Sequence, residues 1–208
     1  MPPEPTIKRT IAFIDGQNLF HMVRDAFGYH YPNYNPRALS ESVARPMGWQ
    51  LTEVRFYTGV PDRADNASWS HFWSAKLLAM SRAGVRTYSR SLRYRNKTVI
   101  CPGGVRHTFL VGEEKGIDVR IALDIIRGAH RNGYDVALVF SQDQDLSEVA
   151  DEIRVISREQ SRWIKVACAF PDSPTMSNRR GINRTDWIRI DRVTYDACID
   201  SRDYRPRP

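Results

Sequence analysis

Residues 136–145 read Val-Ala-Leu-Val-Phe-Ser-Gln-Asp-Gln-Asp. An unbroken apolar run of this length, closed by a polar turn, is the pattern of a strand covered on both faces, as in a parallel sheet. The strand is expected over Tyr134–Phe140. A second copy of the pattern lies near the start of the chain, where Ile11–Ile14 runs into Asp15-Gly16-Gln17-Asn18. In an open parallel sheet, ligands bind beyond the carboxyl ends of the strands. Asp15 is delivered to that edge by the first strand, and Asp143 and Asp145 by the second. If the two strands are neighbours, three carboxylates share a small volume. Such a group repels itself unless a cation is present, and Mg²⁺ or Mn²⁺ is the natural partner of an oxygen-rich cluster. Each acid also has a structural use, because Asp is a strong helix N-cap.

The rest of the chain alternates in the same way. Leu19–Phe27 has helical spacing, Gly28–Pro36 is a Tyr/Asn/Pro loop, and Pro36 opens a helix to Ala44. Glu53–Val60 reads as a strand and Ala64–Ala83 as a helix, with Trp69, Phe72, Trp73, Leu77 and Met80 facing the core or an interface. Gly84–Ser89 is a strand. Residues 90–112 form a hairpin around Cys101-Pro-Gly-Gly104 that carries Arg90, Arg93, Arg95, Lys97, Arg106 and His107. Gly116–His130 and Leu146–Ser157 are helices, and Trp163–Phe170 and Trp187–Ile190 are strands separated by a polar loop over Pro171–Thr185. Val193–Ile199 is a last short segment. This order predicts an α/β fold: a three-layer α/β/α domain over 9–200, with a central mainly parallel sheet and one basic β-hairpin insertion. Residues 1–8 and 201–208 are expected to be flexible tails.

The 208 residues are 41% hydrophobic and 26% charged, which suits a folded domain and excludes wholesale disorder. No apolar run approaches the ~20 residues of a membrane helix, and the start of the chain has no secretory h-region. The expected location is the cytoplasm, with no membrane partner. Thirty-one basic residues against 24 acidic ones leave a net charge of +7, which favours an acidic partner such as RNA. Cys101, Cys168 and Cys198 have no paired spacing, and the five histidines are scattered, so a zinc site is not expected.

Two further clusters bear on chemistry. Asn18 stands three residues past Asp15, where its amide either orients a water or phosphate or ties down the loop. Glu113–Asp118 (EEKGID) opens the helix at 116 and puts Asp118 in its first turn, where a carboxylate also suits the helix dipole. Lys115 and the Gly116 N–H sit at a helix terminus suited to phosphate. Asp124 lies well round that helix and reads as structural or supporting.

Three segments now carry a resemblance: FIDGQN at 13–18, EKGIDVRIALDI at 114–125 and VFSQDQDLSEV at 139–149. In this order they resemble the signature segments of the NYN domain family, the PIN-like group that includes bacterial LabA/DUF88-type proteins. The resemblance spans roughly Arg9 to Ile190. It implies a PIN-like fold and metal-dependent ribonuclease activity, with the family's acidic positions on Asp15, Asp118, Asp143 and Asp145 and its Asn on Asn18. The family often reads Ser-Gly-Asp-Ser-Asp where this chain has Ser141-Gln142-Asp143-Gln144-Asp145, and Ser where it has Gln17.

On this basis the expected activity is hydrolysis of an RNA phosphodiester, assisted by Mg²⁺ or Mn²⁺. Asp15, Asp118, Asp143 and Asp145 hold the metal, and Asn18 orients water or phosphate. Lys115, Arg93, Arg95, Lys97 and Arg106 contact single-stranded RNA, with Tyr29, Tyr31 and Tyr34 as stacking partners. The alternative is a non-catalytic RNA-binding or regulatory module on the same fold. A phosphatase using two aspartates two residues apart is disfavoured by Gln17, and a dinucleotide-binding domain by the absence of GxGxxG after the first strand. A homodimer through the Trp-rich helix remains open.

Overall fold

The computed structural model describes residues 2–174 and 176–206. Met1, Arg207 and Pro208 of the expected tails and Thr175 of the expected loop lie outside the described residues. The elements in order are β1 (Lys8–Asp15), α1 (Gly16–Phe27), α2 (Pro36–Ala44), β2 (Trp49–Val60), α3 (Ala67–Arg82), β3 (Arg86–Ser91), β4 (Arg93–Ile100), β5 (Arg106–Glu113), α4 (Ile117–His130), β6 (Val136–Phe140), α5 (Ser147–Glu159), β7 (Lys165–Pro171), β8 (Asp186–Ile190) and α6 (Arg192–Asp196). Short 3₁₀ turns lie at Arg45–Met47 and Gln144–Leu146.

Six strands form one sheet in the order β3-β2-β1-β6-β7-β8, and every pairing in it is parallel. β1 and β6 are therefore neighbours, in register from Thr10↔Val136 to Ile14↔Phe140. Ile11–Ile14 and Val136–Phe140 are buried throughout, as expected for the two central strands of a covered sheet. α4 and α5 pack on one another, α4 over β1 and β2 and α5 over β7, while α2 and α3 pack on β2 and its neighbours. Right-handed crossovers between parallel strands put these two groups on opposite faces, completing three layers. β4 and β5 pair only with each other, antiparallel, as the expected hairpin insertion.

The boundaries differ where a polar residue decides them. β6 starts at Val136, not Tyr134; just before it, the Asp135 carboxylate accepts from both the backbone N–H and the guanidinium of Arg9 at 2.9–3.0 Å. α3 starts at Ala67, where Asn66 caps it by accepting from Trp69 N at 3.0 Å. Its buried face holds Phe72, Trp73 and Met80 and, unexpectedly, Lys76. The Lys76 ammonium donates to the Tyr34 carbonyl at 2.9 Å and lies 3.6 Å from Asp200. Past residue 200, Tyr204 packs edge-on to Phe72 and donates its hydroxyl to Asp200.

Candidate active site

β1 and β6 end side by side, and each chain then turns into a helix. Asp15 closes β1 and caps α1, with Oδ1 accepting from Asn18 N at 3.0 Å. Asp143 follows β6 and accepts from Asp145 N at 3.0 Å. Both acids therefore serve as caps, and the sheet topology also aims them at one edge. The two roles are compatible, because a strand-to-helix turn needs an acceptor at the same place where a ligand would meet the strand ends.

α4 brings Asp118 to the same edge. Gly116 ends the preceding turn in the left-handed region at φ +75° and opens the helix. Asp118 is half-buried in the first turn. Its charge and that of Asp143 both act on Asp15. Burial pushes the Asp15 carboxyl up, the Asn18 N–H pulls it down, and those two neighbours raise it again, to about 6.

Glu114 is a fourth member of the cluster that sequence reasoning passed over. Its pKa is pushed up to about 7, first by burial and then by the charge of Asp15, while the Gly59 N–H opposes the rise and Asp118 adds to it. Oε2 of Glu114 accepts from Gly59 N, at the end of β2. A Cβ at Gly59 would lie 2.7 Å from that oxygen and 2.5 Å from Leu92, so a side chain there would displace the carboxylate. The signal was the doublet Glu113-Glu114. Neighbouring residues leave a strand on opposite sides, and Glu113 goes to Arg95 in the hairpin. Only the pairing of the strands tells the two apart.

The other expected site residues are placed as follows. Asn18 ties the two acidic turns together, with Oδ1 accepting from Gln142 N at 2.9 Å. Asp145 is exposed, with its backbone N–H on Asp143. Lys115 is exposed beside the cluster. Arg93, Lys97 and Arg106 are exposed along the hairpin, and Arg95 is paired with Glu113. Arg106 lies at the hairpin tip, about 24 Å along β5 from its base. The expected stacking role of the loop tyrosines is corrected for Tyr34. It is fully buried, its hydroxyl has no hydrogen-bond partner among the described residues, and it lies close enough to Asp15 to feel its charge. Tyr29 donates to Asp196, and Tyr31 lies under Arg205. Asp124 is structural, accepting from Tyr57 OH at 3.0 Å and from Arg120 at 2.9 Å.

The unusual turn Ser141–Asp145 has its own explanation. Gln142 has no left-handed backbone and so does not require glycine. Its Nε2 donates to Arg180 O at 2.8 Å, and Gln144 Nε2 donates to Gly181 O at 3.1 Å while its Oε1 accepts from Asn183 N. The two glutamines hold the β7–β8 loop against the acidic turn, a task that Gly and Ser side chains are too short to perform.

Beside the cluster, Gln17, Phe20, Trp69, Leu92, Tyr94 and Leu110 help to line a cleft of about 510 Å³ between α1, α3 and the hairpin base. Gln17 also donates to Gly59 O at 3.3 Å, so the cleft and the acids share one wall.

The donor set is all oxygen, which fits Mg²⁺ or Mn²⁺. Among the described residues, no three His, Cys, Asp or Glu side chains are close enough together to hold an ion as a group.

No helix among the described residues is long and apolar enough to cross a membrane. The chain is similar to a solved protein of unknown function, VPA0982 of Vibrio parahaemolyticus, at 17% identity over 91% of this chain and 97% of that one, with a TM-score of 0.52. A further solved structure, MurG of Acinetobacter baumannii, aligns at 10% identity over 88% of this chain and 45% of that one, with a TM-score of 0.32. No curated protein matches the sequence. The profile of the NYN domain matches residues 9–174, which include β1, α4, β6 and all four clustered acids. The chain belongs to the NYN domain family, a group of PIN-like nucleases.

Proposed function

We propose that this NYN domain is a metal-dependent ribonuclease that hydrolyses phosphodiester bonds of single-stranded RNA. The observation that carries the reading is the convergence of Asp15, Glu114, Asp118 and Asp143 at the carboxyl edge of the sheet, where the buried Asp15 carboxyl stands within the charge of Asp143 and Asp118, and Glu114 within that of Asp15 and Asp118. Buried like charges without a cation are costly, and their cost falls when a divalent ion and a phosphate enter together.

Asp15, Asp118 and Asp143 would hold Mg²⁺ or Mn²⁺, directly or through water. A divalent ion bound there supplies Lewis acidity toward the phosphoryl oxygens and neutralises charge on them. Glu114 is anchored by the Gly59 N–H through Oε2, which leaves Oε1 to take the proton of an attacking water. The Asn18 amide keeps the two acidic turns in register, which makes it a positioning residue. The cleft beside Gln17 would receive a base next to the scissile phosphate, with Trp69 and Tyr94 as its aromatic walls. Lys115 and the exposed hairpin cations supply the field that draws in RNA.

A non-catalytic RNA-binding module is the second reading. It draws on the absence, among the described residues, of three acids close enough to hold an ion together. The deciding experiment incubates the full chain with end-labelled single-stranded RNA in Mg²⁺, in Mn²⁺ and in EDTA, beside Asp143→Asn. Cleavage that needs the metal and disappears in the variant supports the nuclease. Binding without cleavage in any metal overturns it in favour of the module.

A further inference from the structure

A second basic surface lies away from the hairpin, on the other side of the acid cluster. α4 packs on β1 and β2, and a trough of about 280 Å³ is left between it and the edge strand β3. Its floor carries Arg55 and Tyr57 from β2 with Arg86 and Tyr88 from β3, opposed in register as Arg55↔Arg86 and Tyr57↔Tyr88. Its wall carries Arg120, Arg127 and Arg131, which recur on one side of α4.

Two acids face these five arginines. Glu53 is shared by Arg55 at 2.6 Å and Arg86 at 3.2 Å, and Asp124 takes Arg120 at 2.9 Å. Arg127 and Arg131 are exposed and have no acidic partner among the described residues. A domain does not gather this much like charge along one trough for its own stability, because the charges repel.

The trough also leads to the acids. Tyr88 receives the Arg120 guanidinium over its ring at 4.8 Å, and its hydroxyl accepts from Arg90 at 2.7 Å. Arg90 in turn lies against Gly116, where a Cβ would meet its guanidinium at 2.7 Å. Gly116 opens α4, two residues before Asp118. β3 runs parallel to β1, so Arg90 stands at the site edge and Arg86 behind it. α4 runs the opposite way, with Arg120 near the site and Arg131 farthest. The row extends about 13–16 Å, room for a few nucleotides of an extended strand.

We propose that this trough is the track along which single-stranded RNA continues away from the acid cluster. The phosphates are held by Arg90, Arg127 and Arg131, while Arg120, fixed by Asp124 over the Tyr88 ring, lines the wall between them. Arginine suits the task because its planar fork pairs with phosphate in two directions and stacks on rings and bases. The proposal rests on the nuclease reading for where the strand begins.

The test measures fluorescence anisotropy of 5′-labelled U12 and U4 RNA with the full chain in EDTA, so that no cleavage intervenes. Arg127→Glu/Arg131→Glu is compared with Arg127→Lys/Arg131→Lys and with Arg93→Glu/Lys97→Glu in the hairpin. The glutamate pair is expected to weaken U12 binding at least tenfold and U4 binding much less. It also lowers the slope of log affinity against log salt by about 1.4, the share of two phosphate contacts on a single strand. The lysine pair keeps most of the U12 affinity. Unchanged U12 binding in the glutamate pair overturns the track, as does an equal loss for both lengths, or failure of the unaltered chain to bind U12. Cleavage is assayed separately in Mg²⁺. A chain that binds U12 through the trough and never cleaves it defeats the nuclease reading alone. A chain that cleaves, but whose glutamate pair binds like the parent, defeats the track alone.

Discussion

β1 and β6 run side by side, and each end of the pair carries a buried aspartate in opposite circumstances. At the amino end, Asp135 receives the Arg9 backbone N–H and two bonds from its guanidinium. Burial alone would push its carboxyl up, but those hydrogen bonds and the arginine's charge outweigh burial and hold it below its ordinary value. At the carboxyl end, burial pushes the Asp15 carboxyl up, the Asn18 N–H only partly opposes it, and the charges of Asp143 and Asp118 add to the rise, to about 6. One strand pair therefore has an aspartate satisfied by the fold and an aspartate left for a ligand. The buried Lys76 belongs with the first kind, since a carbonyl, a carboxylate and two rings surround it.

The sharpest way to break the contrast is to neutralise one acid at each end. Asp15→Asn and Asp143→Asn should each lower metal-dependent cleavage of single-stranded RNA at least 100-fold, measured as kcat/KM. In EDTA at pH 8, Asp15→Asn should raise the melting temperature, because it removes a buried charge among like charges. Asp135→Asn should do the reverse, leaving cleavage nearly unchanged while lowering stability by about 1–3 kcal/mol. For a chain of this size that is a fall of several degrees in Tm. A Tm that moves the same way in Asp15→Asn and Asp135→Asn would erase the distinction.

The pH dependence should separate the two ends next. Asp15 and Glu114 hold protons more tightly folded than unfolded. Their contribution to stability therefore falls as pH rises from about 4 to 7, and a divalent ion should restore it. Added Mg²⁺ should raise Tm more at pH 8 than at pH 5, and Glu114→Gln should flatten that difference. Asp135 has a lowered value when folded, so its contribution is present above the ordinary carboxylate range. It is lost as pH falls through the folded value. Chemical denaturation across pH in EDTA would resolve the two slopes.

The smallest effect is expected at Asp145. It is exposed, so Asp145→Asn should reduce cleavage less than fivefold where Asp143→Asn lowers it at least 100-fold. Equal losses would place Asp145 inside the metal's reach and enlarge the cluster.

Local pattern was enough to read the strand Ile11–Ile14 and, two residues too long at its start, the strand Tyr134–Phe140, with the turns that follow them, the helix with Asp118 in its first turn, and the hairpin. In each case the period of apolar residues, a capping acid or a Gly-rich turn acts over a few neighbours, so the chain itself carries the information. The cluster's membership was a different matter. Glu114 joins it only because β2 ends beside α4 and Gly59 leaves space for the carboxylate. Asn18 bonds Gln142 because α1 and the β6 turn meet. Tyr34 turns inward against Tyr195 and Lys76, and five arginines spread over residues 55–131 line one trough through the pairing of β2 with β3 and the lie of α4. Sequence determined which residue types stand at the strand ends, because that depends on covalent neighbours. Tertiary structure decided which of them share a charge environment, because Coulomb coupling and desolvation depend on distance and burial, and the chain's order encodes neither.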